Sequence, residues 1–269
     1  MKYCSDNRIF QASRARAGRA GFRHLLMIPD KGTHELHQGK IYIVSTPIGN
    51  MEDITLRALK ILKEVELIAA ESKERTRKLC TYYAITTPIT TYNSHNQHYK
   101  GRILLEKVKS GLNIALVSDA GTPGLSDPGS RLVREAIDNH IRLVPIPGVS
   151  ASLAALSVSG LPTDRFIFVG FLSNKKGRRR KELDDLKREA RTIIFFESPH
   201  RLIKMLTDVY EILGNRDIVV AKEMTKVFEE VKKGPASEIL SSFEDEKIRG
   251  EYTIIAEGAK ERPASIIDK

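Results

Sequence analysis

The sequence predicts an α/β fold with a mostly parallel sheet in its N-terminal part. Short runs of continuous apolar character, such as IYIV from Ile41 and NIALV from Asn113, alternate with segments of helical periodicity. Strands that are apolar on both faces are typical of parallel sheets covered by helices on each side. The alternation begins at Lys40 and continues to the small-residue helix SASLAALSVSG, which ends at Gly160.

Each element of this part has a local signal. The segments IYIVSTP, ELIAAE, TPITTY, NIALVSDA and IRLVPIP are predicted strands or extended segments, and DITLRALKILKEV, SKERTRKLC, HNQHYKGRILLEKVKSG and SRLVREAIDN are predicted helices. Asp53 or Thr55 could cap the first helix, because short polar side chains accept hydrogen bonds from helix N-termini. Gly111 ends the third helix, as glycine commonly does.

The pattern changes near residues 160–164. Beyond that point the predicted strands DRFIFVGFL, TIIFFES, DIVVAKEM and EYTIIAEG are separated by longer, charged helices. We therefore predict an N-terminal α/β domain over residues 40–161 and a C-terminal α/β domain over residues 162–258. Residues 1–39 are interpreted as a disordered or appended leader, with a targeting role as the second reading, and residues 259–269 as a loose tail.

Composition favours a soluble globular protein without disulfides. Hydrophobic residues make up 41% and charged residues 29% of the 269 residues, and no apolar run approaches the roughly 18–20 residues that span a bilayer. The cysteines Cys4 and Cys80 are far apart in sequence, which is consistent with a reducing cytoplasm and offers no zinc motif. Asp119 and Asp127 could hold Mg²⁺, but their loop has no third carboxylate, so no metal is predicted.

Positive charge suggests an anionic partner. The formal net charge is +10, and half of it lies in residues 1–40, where eight basic residues face three acidic ones. A second concentration is KKGRRRK, from Lys175 to Lys181. Such runs are typical of nucleic-acid contacts. The alternative is that this run simply forms the solvated start of a helix.

Three glycine- and proline-rich turns follow predicted strands: TPIGN from Thr46, SDAGTPGLSDPG from Ser118 and PIPGVSAS from Pro145. Each could be only a turn. Ligands of open parallel sheets, however, bind beyond the carboxyl ends of the strands, so three such turns together predict a binding site there.

The chemistry of these turns favours a cationic ligand. Neither a P-loop nor a G-x-G-x-x-G motif after the first strand is present. Instead the turns offer Asp119 and Asp127, which suit a cation or a ribose diol, and small residues that leave room, namely Gly121, Ser150 and Ala151. S-adenosylmethionine combines positive charge with a ribose, and it is the predicted cofactor.

Five segments resemble, in order and spacing, the tetrapyrrole methylase-like (class III) methyltransferases, in the branch that modifies small-subunit ribosomal RNA. They are STPIGNMEDITLRAL, ALVSDAGTPGLSDPG, PIPGVSASLAALSVSGLPTDRF, KKGRRRKELDDLK and FFESPHRL, and the resemblance spans about residues 40–258. It implies two α/β domains with S-adenosylmethionine in the cleft between them, and a homodimer. It also implies 2′-O-methylation of a cytidine ribose in 16S ribosomal RNA at the decoding centre.

The resemblance, carried over position by position, implies two groups of site residues. Cofactor binding is expected at Pro47, Ile48, Asp119, Gly121, Thr122, Ser150, Ala151, Phe196 and Glu197. RNA contact is expected at Lys175, Lys176, Arg178, Arg179, Arg180, His200 and Arg201. A ribose hydroxyl is a weak acid, so a base is expected as well, with Glu71 and Asp127 as candidates.

One segment departs from the family pattern. The family usually has Glu-Asp-Thr-Arg after the second strand, whereas this chain has ESKERTR from Glu71 to Arg77, with Ser72 and Glu74 in place of the aspartate and the first arginine. This departure leaves open an RNA-binding assembly factor with impaired catalysis. A ring-carbon methyltransferase of tetrapyrroles or corrins is the other alternative, although it gives KKGRRRK no role.

Overall fold

The computed structural model describes residues 38–244 and 247–260, which lie in one compact unit. The expected leader and tail fall outside the described residues, apart from Gln38 and Gly39 at one end and Ala259 and Lys260 at the other. Gly39 donates its backbone N–H to the carbonyl of Val108 at 2.8 Å. No helix within the described ranges is long and apolar enough to cross a membrane.

The first five strands form one sheet, which we call the N-terminal sheet. They are β1 (Lys40–Val44), β2 (Leu67–Ala70), β3 (Ile89–Thr91), β4 (Ile114–Val117) and β5 (Arg142–Ile146). All are parallel, in the order β3-β2-β4-β1-β5. The prediction of a mostly parallel first sheet is therefore confirmed, and the five carboxyl ends lie along one rim.

Helices cover both faces of this sheet. They are α1 (Leu56–Glu64), α2 (Lys73–Tyr82), α3 (Gln97–Lys109) and α4 (Ser130–Asp138), whereas α5 (Ala151–Ser159) follows β5 and packs elsewhere. One apolar layer packs α1 and α2 on the sheet, and a second packs α3 and α4. Thr55 rather than Asp53 caps α1, because its hydroxyl accepts a hydrogen bond from the N–H of Ala58 at 3.1 Å.

The remaining strands form the C-terminal sheet. They are β6 (Phe166–Phe171), β7 (Thr192–Glu197), β8 (Asp217–Lys222), β9 (Glu230–Pro235) and β10 (Tyr252–Ala256), in the order β6-β7-β10-β8-β9. Only β6 and β7 are parallel; β10 runs antiparallel to β7 and β8, and β9 antiparallel to β8. The helices α6 (Lys176–Asp185), α7 (Leu202–Leu213) and α8 (Ala236–Ser241) accompany this sheet. Strand β9 was not predicted.

Helix α5 joins the two halves of the structure. Its Ala155 and Leu156 are buried in one apolar cluster with Ile194, Val219 and Ile255 of the C-terminal sheet. Helix α5 stops at Gly160, whose φ of +65° is a conformation that glycine adopts readily. Because α5 begins at the rim of the N-terminal sheet, this packing brings that rim against the C-terminal sheet.

Candidate active site

The first two rim turns are tied together by backbone hydrogen bonds. Thr46 and Gly121 each donate an N–H to the other's carbonyl, at 2.9 and 3.0 Å. The hydroxyls of Ser45 and Thr122 lie 2.8 Å apart and share a hydrogen bond. Gly121 has a φ of +74°, which strains any residue with a Cβ. The turns thus form one fixed wall.

A cavity of about 350 Å³ lies between this wall and the C-terminal sheet. The predicted site residues that line it are Ile48, Gly121, Thr122, Asp127, Ser150, Ala151, Phe196 and Glu197. The rim turns and the end of β7, distant in sequence, therefore meet at one opening.

The C-terminal wall of this cavity is aromatic. The ring centroid of Phe196 lies 5.0 Å from that of Phe168 and 5.7 Å from that of Phe171. All three rings line the cavity, and Phe171 is exposed to solvent. Such a surface suits a planar heteroaromatic group. Phe168 and Phe171 were missed in the sequence, although the aromatic alternation in FIFVGF was a usable signal.

Asp127 is the carboxylate of the second turn that lines the cavity. The turn around it is bent through Ser126 at φ +65° and Gly129 at φ +146°. Burial, and then the negative charge of Glu71, raises the pKa of Asp127 to about 6, although a hydrogen bond from Ser118 acts in the opposite direction. A carboxyl group with this pKa can both lose and accept a proton near neutral pH.

Glu197 is the second predicted carboxylate in the cavity wall. It is only 2% exposed, and its carboxylate accepts the N–H of Ser198 at 2.8 Å and pairs with Arg201 at 3.1 Å. Burial nevertheless raises its pKa. Arg201 also donates to the carbonyl of Leu172 at 2.6 Å, so its guanidinium ties the end of β7 to the end of β6.

A second cavity of about 240 Å³ adjoins the first, and Ile48, Ala120 and Glu251 line both. Pro47 and Asp119, predicted to bind the cofactor, lie in this adjoining cavity. The Asp119 carboxylate accepts the N–H of Ser72 at 2.9 Å and lies 3.5 Å from the guanidinium of Arg75.

Glu71 lies next to Asp119, outside the lining of both cavities. Its carboxylate accepts the N–H of Asp119 at 3.3 Å, and it is not among the residues that line either cavity. Burial raises the pKa of Glu71, with Asp119 adding to the effect by charge repulsion. Glu71 therefore acts on the cavity chiefly through its charge beside Asp127.

The predicted RNA-binding run divides into two sets. Lys175, Lys176 and Arg178 are exposed at the start of α6. Arg179 is buried, and its guanidinium binds the buried carboxylate of Asp208 on α7, with the Nε–Oδ2 distance 2.7 Å. Arg180 also binds Asp208, at 2.7 Å, and Glu211, at 2.5 Å. His200 is exposed near the end of β7.

Four charged residues that line the cavities were not among the predicted site residues: Arg75, Lys78, Lys226 and Glu251. Glu251, just before β10, lines both cavities and pairs with Lys226 at 2.9 Å. The Lys226 side chain packs against Gly49 of the first turn, so closely that a Cβ added at residue 49 would clash with the lysine Cγ. The signal for the last two was weak, because Lys226 lies in the loop after β8 and Glu251 just before β10, and neither belongs to a recognisable motif. Within the described ranges, no group of three or more His, Cys, Asp or Glu could hold a metal ion.

Comparison with known proteins shows which family this fold belongs to. The family model for Tetrapyrrole (Corrin/Porphyrin) Methylases matches residues 40–240. Among solved structures, a uroporphyrin-III C-methyltransferase from Thermus thermophilus in complex with S-adenosylhomocysteine is 20% identical, with a TM-score of 0.59 over 81% of this chain and 97% of that one. A cobalt precorrin-4 methyltransferase is 18% identical, with a TM-score of 0.62 over 81% and 94%.

Relatives with much higher identity carry one name, ribosomal RNA small subunit methyltransferase I. The Bacillus subtilis protein is 47% identical over 82% of this chain and 76% of its own length. The Thermotoga maritima protein is 48% identical over 82% and 99%, and the Escherichia coli O157:H7 protein 46% over 83% and 79%.

The fold and the cavity between its sheets thus define a methyltransferase of the tetrapyrrole methylase type. Within that class, the chain belongs to the ribosomal RNA small subunit methyltransferase I family.

Proposed function

We propose that this protein transfers the methyl group of S-adenosylmethionine to the 2′-oxygen of a cytidine ribose in 16S ribosomal RNA of the small subunit. The observation that carries the proposal is the cavity between the sheets, with the ionisable Asp127 on one wall and the Phe196 ring on the other. The names of the close relatives support small-subunit ribosomal RNA as the acceptor.

The residues of the cavity fit S-adenosylmethionine. Phe196 and its neighbouring rings offer an apolar surface for adenine, and Gly121 and Ala151 leave space beside it. The carboxylates of Asp127 and Glu197 complement a ligand that carries positive charge. When bound, this cofactor supplies a methyl group already activated by a positively charged sulfur.

Asp127 serves as the base. As the new O–C bond forms and the C–S bond breaks, the carboxylate of Asp127 accepts the proton of the ribose hydroxyl and later releases it to water. Glu71 supports this step from behind, because its negative charge helps to hold the pKa of Asp127 near neutral. The fixed turns contribute orientation, which is the larger part of what such a transfer needs.

RNA contact is proposed for the exposed cations near the cavity. Lys175, Lys176, Arg178 and His200 are accessible to phosphates. Arg179, Arg180 and Arg201 hold the structure through their carboxylate partners, so they support the surface indirectly. We further propose two domains, at residues 40–161 and 162–258, a homodimeric assembly and a cytoplasmic location.

The reaction is tested with purified protein, labelled S-adenosylmethionine and small ribosomal subunits from cells that lack the endogenous enzyme. Label in a cytidine ribose of 16S RNA is expected. Label that enters only a tetrapyrrole would instead support the ring-carbon methyltransferase. Binding of the subunit without transfer would indicate an assembly factor.

The RNA surface is tested by replacing Lys175 and Arg178 together with alanine. Each lost phosphate contact should lower the slope of log affinity against log salt by about 0.7, so we expect a decrease of roughly 1.4. The matched control replaces Lys60 and Lys63, which are exposed on α1. Equal slopes for the two variants would show that the start of α6 is only solvated.

A further inference from the structure

The adjoining cavity brings three cations to the edge of the cofactor cavity. Arg75 and Lys78 lie one turn apart on α2, and Lys226 reaches the same cavity from the loop after β8. The contact between Gly49 and Lys226 holds this lysine against the first turn. The cations therefore come from both halves of the structure and face one space.

The ion pairs of Arg75 and Lys78 are weak enough to exchange for another anion. The Arg75 side chain is 63% exposed and lies 3.5 Å from Asp119, a carboxylate that already accepts the N–H of Ser72. Lys78 pairs with Glu74 at 3.2 Å, and both side chains are largely exposed. Exposed pairs of this kind contribute little and are screened by salt.

A phosphate-bearing substrate needs such cations at this position. The 2′-hydroxyl must approach a cavity whose walls include Asp127, Glu197 and Glu251, all of which repel phosphate when ionised. In the adjoining cavity three cations outnumber the two carboxylates, Asp119 and Glu251, and so offset part of that repulsion. Because the two cavities share Ile48, Ala120 and Glu251, a ligand in one lies directly against a ligand in the other.

We infer that the adjoining cavity binds a backbone phosphate of the acceptor RNA next to the methylated ribose, through Arg75 and Lys78. The inference rests on the proposed function and extends it, because it divides the two substrates between two cavities. Arg75 and Lys78 are binding residues for RNA that lie outside the α6 surface.

The experiment compares Arg75→Ala and Lys78→Ala with Lys60→Ala in the methyl-transfer assay on small subunits. Lys60 is a matched control for Lys78, because each forms an exposed i,i+4 ion pair with a glutamate, Lys60 with Glu64 and Lys78 with Glu74. We expect the KM for the subunit to rise about 10-fold or more in each cavity variant, as for the loss of a charged hydrogen bond. The salt slope should fall by about 0.7, while the affinity for S-adenosylhomocysteine stays within twofold.

Three outcomes would overturn the inference. Kinetics equal to those of Lys60→Ala would show that the cavity does not bind RNA. A loss of S-adenosylhomocysteine affinity in Arg75→Ala would show that Arg75 acts on the cofactor through Asp119. A raised subunit KM in Lys78→Ala with an unchanged salt slope would show that no phosphate contact was lost. If the unaltered protein transfers no methyl group to the subunit, the proposed function itself fails.

Discussion

Replacing Asp127 with asparagine should make the free protein more stable and the enzyme much less active. The pKa of this carboxyl group is raised from 3.8 to about 6, first by burial and then by the charge of Glu71. A raised pKa means that the folded state holds the proton more tightly than the unfolded chain does. Ionisation therefore destabilises the folded protein progressively as the pH rises from about 4 to about 6, and the full destabilisation remains above that range.

The size of the effect follows from the same interval. The difference between 3.8 and about 6 corresponds to roughly 3 kcal/mol. Asp127 is only partly buried, so solvent screens some of this energy, and we expect about 1–2 kcal/mol. An asparagine side chain cannot ionise, so the Asp127→Asn variant should escape this penalty at neutral pH and above.

Urea denaturation at several pH values measures this gain. The free energy of unfolding of Asp127→Asn should exceed that of the unaltered protein by about 1–2 kcal/mol at pH 7.5, by about half as much at pH 5, and hardly at all at pH 4. Asp164→Asn, which removes an exposed carboxylate, should show no such pH-dependent gain. A variant that is no more stable at pH 7.5 would refute the account of a buried, repelled carboxylate.

Catalysis should change in the opposite direction. In the unaltered enzyme the rate should rise with pH up to about 6 and then level off, because the ionised carboxylate is the active form. Asp127→Asn should lose about 100- to 10,000-fold in kcat, together with this dependence on pH. A variant that keeps the rise near pH 6 would assign the base to another residue.

Two further predictions concern stability and are tested by chemical denaturation. Arg179→Ala should lower the free energy of unfolding by about 1.5–3 kcal/mol, because the buried Asp208 carboxylate loses one of its two guanidinium partners and keeps only Arg180. The exposed neighbour Arg178→Ala should stay within about 0.5 kcal/mol. Gly170→Ala should lower the free energy of unfolding by about 1–3 kcal/mol, because φ at this position is +74° and the new Cβ would clash with the Ser126 hydroxyl. Its control is Gly177→Ala on α6, which has open space around it and should be neutral or stabilising. Equal changes in the free energy of unfolding within either pair of variants would show that the contact in question does not stabilise the fold.

The N-terminal sheet and its rim were predictable because their signals are local. Runs such as NIALV are apolar on both faces, and the turns that follow them carry the glycines and acids that line the cavities. Strand β9 was not predictable in the same way. Its sequence, EVKKGP, is charged and ends in proline, and it is an edge strand that pairs with β8. The antiparallel direction of β10 likewise has no signal in its own residues.

Charge alone could not show which arginines of α6 are buried and which are exposed. Three adjacent arginines point in different directions on a helix, so one of them, Arg179, turns inward while Arg178 stays outside. The ion-pair partner of Arg179 did give a signal for a buried cation, because Asp208 is an acid within the otherwise apolar face of LIKMLTDVYEIL. The same limit applies to Asp119 and Asp127. Their shared turn predicts an acidic site, but only the folded turn separates them into different cavities.

Packing of α5 on the opposite sheet ties the folding of the two halves together. A fragment that ended after α5 would expose Leu156 to water, and burial of a leucine side chain contributes about 1.5–3 kcal/mol. A fragment that began at β6 would uncover Ile194, Val219 and Ile255 in the same way. Each piece would lose part of its apolar core, so we expect the two halves to unfold together and calorimetry of residues 38–260 to record a single heat-absorption peak.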